Sequence, residues 1–185
     1  MNRSIVITRY ARALEKYVKE TGGGNVVAGE AELLGKRFSD LPDFLRVMNS
    51  RDMVTRAEKK SLLVNALGGK SSGEMDRFLD LVLEKGREDL LPDILRSFIL
   101  IHERAQGIRR ASLTAVRAPS ERLLEGLRKL VKDTTGDDAI IEVTIDPSLL
   151  GGFVLDIDDY LLDASVKRQL DIIKEQFIEK NRRII

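Results

Sequence analysis

Four groups of residues have the types and spacing to do chemistry. Gly68-Gly69-Lys70-Ser71 resembles the end of a phosphate-cradling loop, in which backbone N–H groups and a lysine hold a nucleotide's phosphates. The full pattern needs a glycine five residues before Gly69, where Val64 stands, and a strand ahead of it, where helical spacing continues. A turn between two helices is expected instead. His102-Glu103 could begin a zinc-binding helix, but the second histidine would stand at position 106, which is Gln106. His102 is therefore expected to be a packed or capping residue at the edge of an apolar face. Asp156, Asp158, Asp159 and Asp163 lie close together, yet calcium loops need oxygens at a fixed spacing around a glycine bend. A solvated strand face or hairpin turn is expected there, with Asp163-Ala164-Ser165 starting the last helix. The basic clusters Arg109-Arg110, Lys167-Arg168 and Lys180 to Arg183 lack interleaved aromatic residues and a net basic domain, so they do not specify nucleic-acid binding. No set of catalytic groups converges. A non-enzymatic protein without cofactor or metal is expected.

Composition narrows the class further. Charged residues make up 33% of the 185 positions and hydrophobic ones 43%, an ordinary globular balance. The net charge of +1 gives no global field to attract nucleic acid or anionic lipid. No apolar run approaches the roughly 18–20 residues of a membrane helix, and MNRSIVITRY carries no cleavage site. The absence of cysteine excludes disulfides, thiol catalysis and Cys-based metal sites, and fits the cytoplasm.

The apolar spacing predicts six helices, then strands. Val6, Tyr10, Ala13, Leu14 and Tyr17 share one face of a first helix capped by Ser4, and Ile5, Ala11 and Val18 form a second strip beside it. Such a stripe is core more often than groove. The second strip and the small Ala13 leave room for a partner helix read through i, i+3/i+4, i+7 anchors. Asn25 could cap a second helix carrying Val27, Ala31, Leu34 and Phe38, and Pro42 suits the start of a third with Phe44, Leu45 and Val47. Thr55-x-x-Glu58 and Ser71-x-x-Glu74 read as capping boxes of a fourth and fifth helix. Met75, Phe78, Leu79, Leu81, Val82 and Leu83 surround the fifth, and a sixth runs from about Glu88 to Gln106 with Leu91, Ile94, Phe98 and Ile101 inward. Period-two alternation then marks strands at Ala111–Ala115, Ile141–Ile145 and Phe153–Ile157, with a Ser120-capped helix after the first. A last helix from Val166 carries Leu170, Ile173 and Phe177. The fold class is α+β: a six-helix bundle over residues 1–107, then a small α/β domain over 108–185 with a short mixed sheet. Its expected topology is a right-handed parallel crossover, with the third strand returning as an antiparallel hairpin.

Between the last two of these strands lies DPSLLGGF, followed ten residues on by DASVKRQL. Asp146-Pro147-Ser148 is turn chemistry, and Gly151-Gly152 permits backbone conformations closed to other residues. With Asp163 and Ser165, the pair of motifs closely resembles the C-terminal signature of the δ subunits of bacterial F-type ATP synthases, counterparts of the mitochondrial oligomycin-sensitivity-conferring protein. Ala164 stands where that family usually has glycine. Arg9 to Leu14, RYARAL, is similar to the family's first-helix pattern, and Leu81 to Arg87, LVLEKGR, to a looser one.

The resemblance implies a non-catalytic stator subunit on the cytoplasmic face of the bacterial inner membrane, peripheral to it through the complex. It implies a groove between the first and fifth helices that receives the N-terminal helix of the catalytic alpha subunit. Tyr10, Ala13, Leu14 and Tyr17 would line it, with Phe78, Leu81 and Val82 opposite. It also implies that the C-terminal domain holds the b-subunit stalk, with Lys167 and Arg168 candidates to pair with its acids. A scaffold or regulatory module of another assembly, and a small nucleic-acid-binding protein, are the rival readings.

Overall fold

Ser4 lies within the first turn of helix α1 (Arg3–Thr21) rather than capping it, and the helix stops before Gly22, whose φ of +76° is left-handed. The computed structural model describes residues 3–50, 54–157 and 160–182, with side chains as far as residue 176. Asp158, Asp159 and Arg183, and the side chains of Phe177 and of Lys180 to Arg182, therefore lie outside what is described. Contacts divide the chain into two units, Met1–Ala105 and Gln106–Ile185.

In the first unit, α2 (Gly24–Asp40) starts without a side-chain cap. Asn25 sits inside it, and its Oδ1 faces His102 Nε2 at 3.4 Å instead. α3 (Pro42–Asn49) begins on its proline, and α4 (Arg56–Ala66) opens on the expected capping box. There the Thr55 N–H donates to Glu58 Oε2 at 2.7 Å and the Glu58 N–H to Thr55 Oγ1 at 3.3 Å. α5 (Gly73–Glu84) is capped by Ser72, one residue later than the sequence suggests. Its Oγ accepts from the Met75 N–H, and position N3 is methionine, so no local carboxylate can close a capping box. Glu30 of α2 takes that role from a distance, accepting from the Ser72 N–H at 2.5 Å and the Ser72 hydroxyl at 2.6 Å. Glu30→Ala is expected to cost about 1–2 kcal/mol, the range for an orphaned cap donor, in urea unfolding monitored by circular dichroism. Unchanged stability would show that water replaces the carboxylate.

The sixth helix starts later than expected. A 3-10 turn, Glu88–Leu90, precedes α6 (Leu91–Ala105). Pro92 has no N–H to give to the Glu88 carbonyl, and the Leu91 N–H takes that acceptor with a three-residue step. The core is shared by α1 (Val6, Ala11, Leu14, Val18), α2 (Val27, Ala31, Leu34, Phe38), α5 (Met75, Phe78, Leu79, Val82) and α6 (Leu91, Ile94, Leu95, Phe98). Both apolar strips of α1 are used because α2, α5 and α6 all pack against it, though Ile5 at its start is exposed.

The second unit begins with β1 (Ile108–Ala115), followed by α7 (Glu121–Thr135), β2 (Asp138–Ile145), β3 (Phe153–Ile157), β4 (Tyr160–Asp163) and α8 (Val166–Arg182). The sheet order is β2-β1-β3-β4. β1 and β2 pair in parallel from Ile108↔Asp138 to Ala115↔Ile145, as a crossover through α7 requires. β3 does not form a hairpin with β2. It crosses to the other edge of β1, with Leu113 opposite Leu155, which buries Leu113 completely beneath α7. The hairpin is β3 with β4, a strand without a sequence signal because all four of its residues are exposed. Ala111, Leu113, Leu127, Val131, Leu155 and Ile157 form the core, while edge strand β2 leaves Val143 and Ile145 largely exposed. Leu170 and Ile173 of α8 do not face inward: side chains Val166 to Gln176 are all exposed.

Candidate functional site

Tyr10, Ala13, Leu14 and Tyr17 of α1 and Phe78 and Leu81 of α5 line one groove of about 580 Å³. They sit at different depths. Leu14 and Phe78 are buried in its floor, Tyr10 and Tyr17 are half-buried against the core, and Ala13 and Leu81 are exposed, Leu81 at 42%. Val82 is not part of it. Adjacent helical residues point about 100° apart, so with Leu81 at the groove Val82 faces the core, where it is fully buried.

The sequence reading missed the rim. Val6 and the cations Arg9, Arg77, Lys85 and Arg87 complete the lining, and no acidic side chain does. Arg77 Nη1 donates to the Tyr17 hydroxyl at 3.0 Å, joining the two helices at one end. Lys85 is held by Glu84 at 2.9 Å, a hydrogen bond that raises the ammonium pKa above the ordinary lysine value. The signal was present in RYARAL and LVLEKGR, whose basic residues flank the apolar anchors.

In the second unit the two signature motifs lock onto each other. Asp146 Oδ1 accepts from the Ser148 N–H at 2.9 Å and opens a 3-10 turn, Pro147–Leu149, with the proline in its first position. Leu150 ends that turn at φ +63°, a left-handed conformation costly for a residue with a Cβ. The Gly151 carbonyl then accepts from the Val166 N–H at 3.0 Å and the Phe153 carbonyl from the Ala164 N–H at 2.9 Å. Gly152 has φ +74° and lies so near Ala164 that a Cβ would fall 2.1 Å from its carbonyl oxygen. Ala164, the departure from the family pattern, is outside the positive-φ region, so alanine is unstrained there. Asp163 Oδ1 accepts from the Ser165 N–H at 2.9 Å, and the buried Ser165 Oγ caps α8 through the Arg168 N–H at 3.1 Å. Hydrogen bonds from Ser165 hold the Asp163 carboxyl below the usual carboxylate range, and those from Ser148 do the same for Asp146. Both therefore favour the folded state at neutral pH, and that contribution is lost only as pH falls through their lowered values. Lys167 and Arg168 stand exposed in the first turn of α8 beside them.

The remaining chemical candidates are structural. Gly68 and Gly69, both at positive φ, turn the chain from α4 into α5, so a helix stands where a nucleotide loop needs a strand. His102 is buried, stacked on Phe98, with Nδ1 2.8 Å from Glu15 Oε2. Arg109 pairs with Asp137 and Arg110 with Glu142, each at 2.7 Å. Among the described residues no group of three or more acids or histidines could hold a metal, and no helix is long and apolar enough to cross a membrane.

Known proteins resemble the chain over nearly its whole length. A delta subunit of ATP synthase from Phocaeicola vulgatus is 36% identical over 181 residues, covering 98% of each chain. Those from Bacteroides fragilis and Moorella thermoacetica are 34% and 30% identical, over the whole of this chain and 95% of it. Among solved structures, a chain of the Toxoplasma gondii mitochondrial ATP synthase hexamer superposes with a TM-score of 0.74 at 19% identity, covering 93% of this chain and 97% of that one, a likeness of fold. The family described as ATP synthase delta (OSCP) subunit matches residues 6–177, and the chain belongs to that family.

Proposed function

We propose that the first unit, read as a six-helix bundle, fastens to the catalytic head by taking an N-terminal helix of the alpha subunit into the α1–α5 groove. The second unit holds the C-terminal helix of the b subunit. As a member of its family the chain is a non-catalytic subunit of the stator, which keeps the head from turning with the rotor. Its place is the cytoplasmic face of the cell membrane, reached through the complex.

The observation that carries this reading is the groove itself. Two helices leave Tyr10, Tyr17 and Leu81 half-covered above an apolar floor, the arrangement that accepts an amphipathic helix. For the stalk, α8 offers Val166, Leu170 and Ile173 at i, i+4 and i+7, exposed by 39%, 51% and 48%, with Lys167 and Arg168 alongside. Two attachment faces on one chain raise the effective concentration of each contact.

Full-length chains carrying Leu81→Asp or Leu170→Asp separate the two roles. Against stripped catalytic heads and a soluble b fragment, Leu81→Asp is expected to lose the head and keep the stalk, and Leu170→Asp the reverse. Loss of both partners by both variants, with circular dichroism unchanged, would overturn the division of labour.

A further inference from the structure

We infer that the groove selects its helix by charge as well as by apolar fit: the occupant is a helix of about three turns with acidic residues gathered at one end. This rests on reading the groove as a helix-binding site. The length follows from α1, where Val6 to Tyr17 spans about 16 Å at 1.5 Å per residue.

The polarity follows from how the two helices flank the groove. Tyr17 meets Arg77, and Tyr10 lies within electrostatic reach of Lys85, so α5 runs antiparallel to α1. Arg9, Lys85 and Arg87 consequently gather at one end, and the lone cation at the other, Arg77, is already bonded to the Tyr17 hydroxyl. Lys85 shares its charge with Glu84. Arg9 and Arg87 are exposed, and no acid among the described residues pairs with them. The C-terminal carbonyls of α5 account for a cation at Lys85. They do not account for Arg9, which lies in the middle of α1 and faces the same opening. A helix with basic flanks would meet like charge at that end. One with acidic flanks gains there, and its docking is steered and screened by salt.

The test uses the full-length chain and a fluorescent peptide of the alpha subunit's N-terminal segment, with a second peptide in which its acids are replaced by lysine. Affinity for the first peptide is expected to fall about tenfold between low salt and about 0.5 M salt. It is expected to fall by a similar factor in an Arg9→Glu/Arg87→Glu variant, and the lysine peptide is expected to bind that variant better than the parent. Both positions are exposed, so the fold should be unaffected; Arg9→Gln/Arg87→Gln should give an intermediate loss if charge is the cause. Equal affinity at all salt concentrations and for both variants, with Leu81→Asp still abolishing binding, overturns the charge selection and leaves the groove reading intact. No binding of either peptide by the parent chain overturns both.

Discussion

Gly152→Ala is expected to destabilise the second unit by about 3 kcal/mol or more. A Cβ built on Gly152 falls 2.1 Å from the Ala164 carbonyl oxygen, 3.0 Å from its carbon and 3.1 Å from Ser165 Cα. All three are backbone atoms, so no side-chain rotation relieves them. The φ of +74° adds the left-handed cost of about 1–2 kcal/mol. Either the loop leaves α8 or the cap at Ser165 opens, and the bonds between Gly151 and Val166 and between Phe153 and Ala164 go with it. Gly136→Ala supplies the comparison. Gly136 has φ +80° at the end of α7, but nothing lies within 4 Å of its added Cβ. That variant is expected to lose only the conformational cost, about 1–2 kcal/mol. Urea unfolding of the two full-length variants measures the difference, and equal losses would mean that the loop yields without consequence.

Leu81→Asp and Val82→Asp, neighbours in sequence, are expected to fail in opposite ways. Leu81 is 42% exposed at the groove, so a carboxylate there remains hydrated and the unit stays folded. Head binding should weaken by about 2–4 kcal/mol, the range of a central anchor lost from an interface. Val82 is fully buried in the apolar core of the first unit, where an unpaired carboxylate costs several kcal/mol. Its variant should show reduced helical circular dichroism and a lowered melting temperature before any binding is tested. Melting of the Leu81→Asp variant would place that residue in the core and remove it from the site.

These two residues also show how far a sequence can be read. RYARAL and LVLEKGR lie on the two helices that flank the groove, but only the helical phase separates Leu81 from Val82. The Thr55 cap was legible because both its partners lie within four residues. The Ser72 cap was placed one residue early because its carboxylate, Glu30, comes from another helix. Alternation revealed β1, β2 and β3, whose inward faces meet α7 or each other. It could not reveal β4, which exists through backbone pairing of Tyr160–Asp163 with Val154–Ile157 and buries no side chain. The neighbour of β3 was misplaced for a related reason: a short connection suggests a hairpin, whereas the sheet gains more by enclosing Leu113 from both edges. The basic rim was overlooked because its members are far apart in sequence and converge only once α1 and α5 pack.

The position of β1 has a consequence for how the chain is made. It is the first strand to leave the ribosome, yet it ends between β2 and β3, so both its edges stay unpaired until later residues arrive. Its parallel partners lie 30 positions downstream, from Ile108↔Asp138, and its antiparallel ones up to 44, from Ser112↔Asp156. At about 5–20 residues per second the nascent strand waits for seconds with Ala111, Leu113 and Ala115 uncovered. The preceding helices can pair with partners already synthesised. Arg109 and Arg110 at the head of the strand, which later find Asp137 and Glu142, put charge on the bare edge in the meantime and discourage it from joining the same strand of another nascent chain.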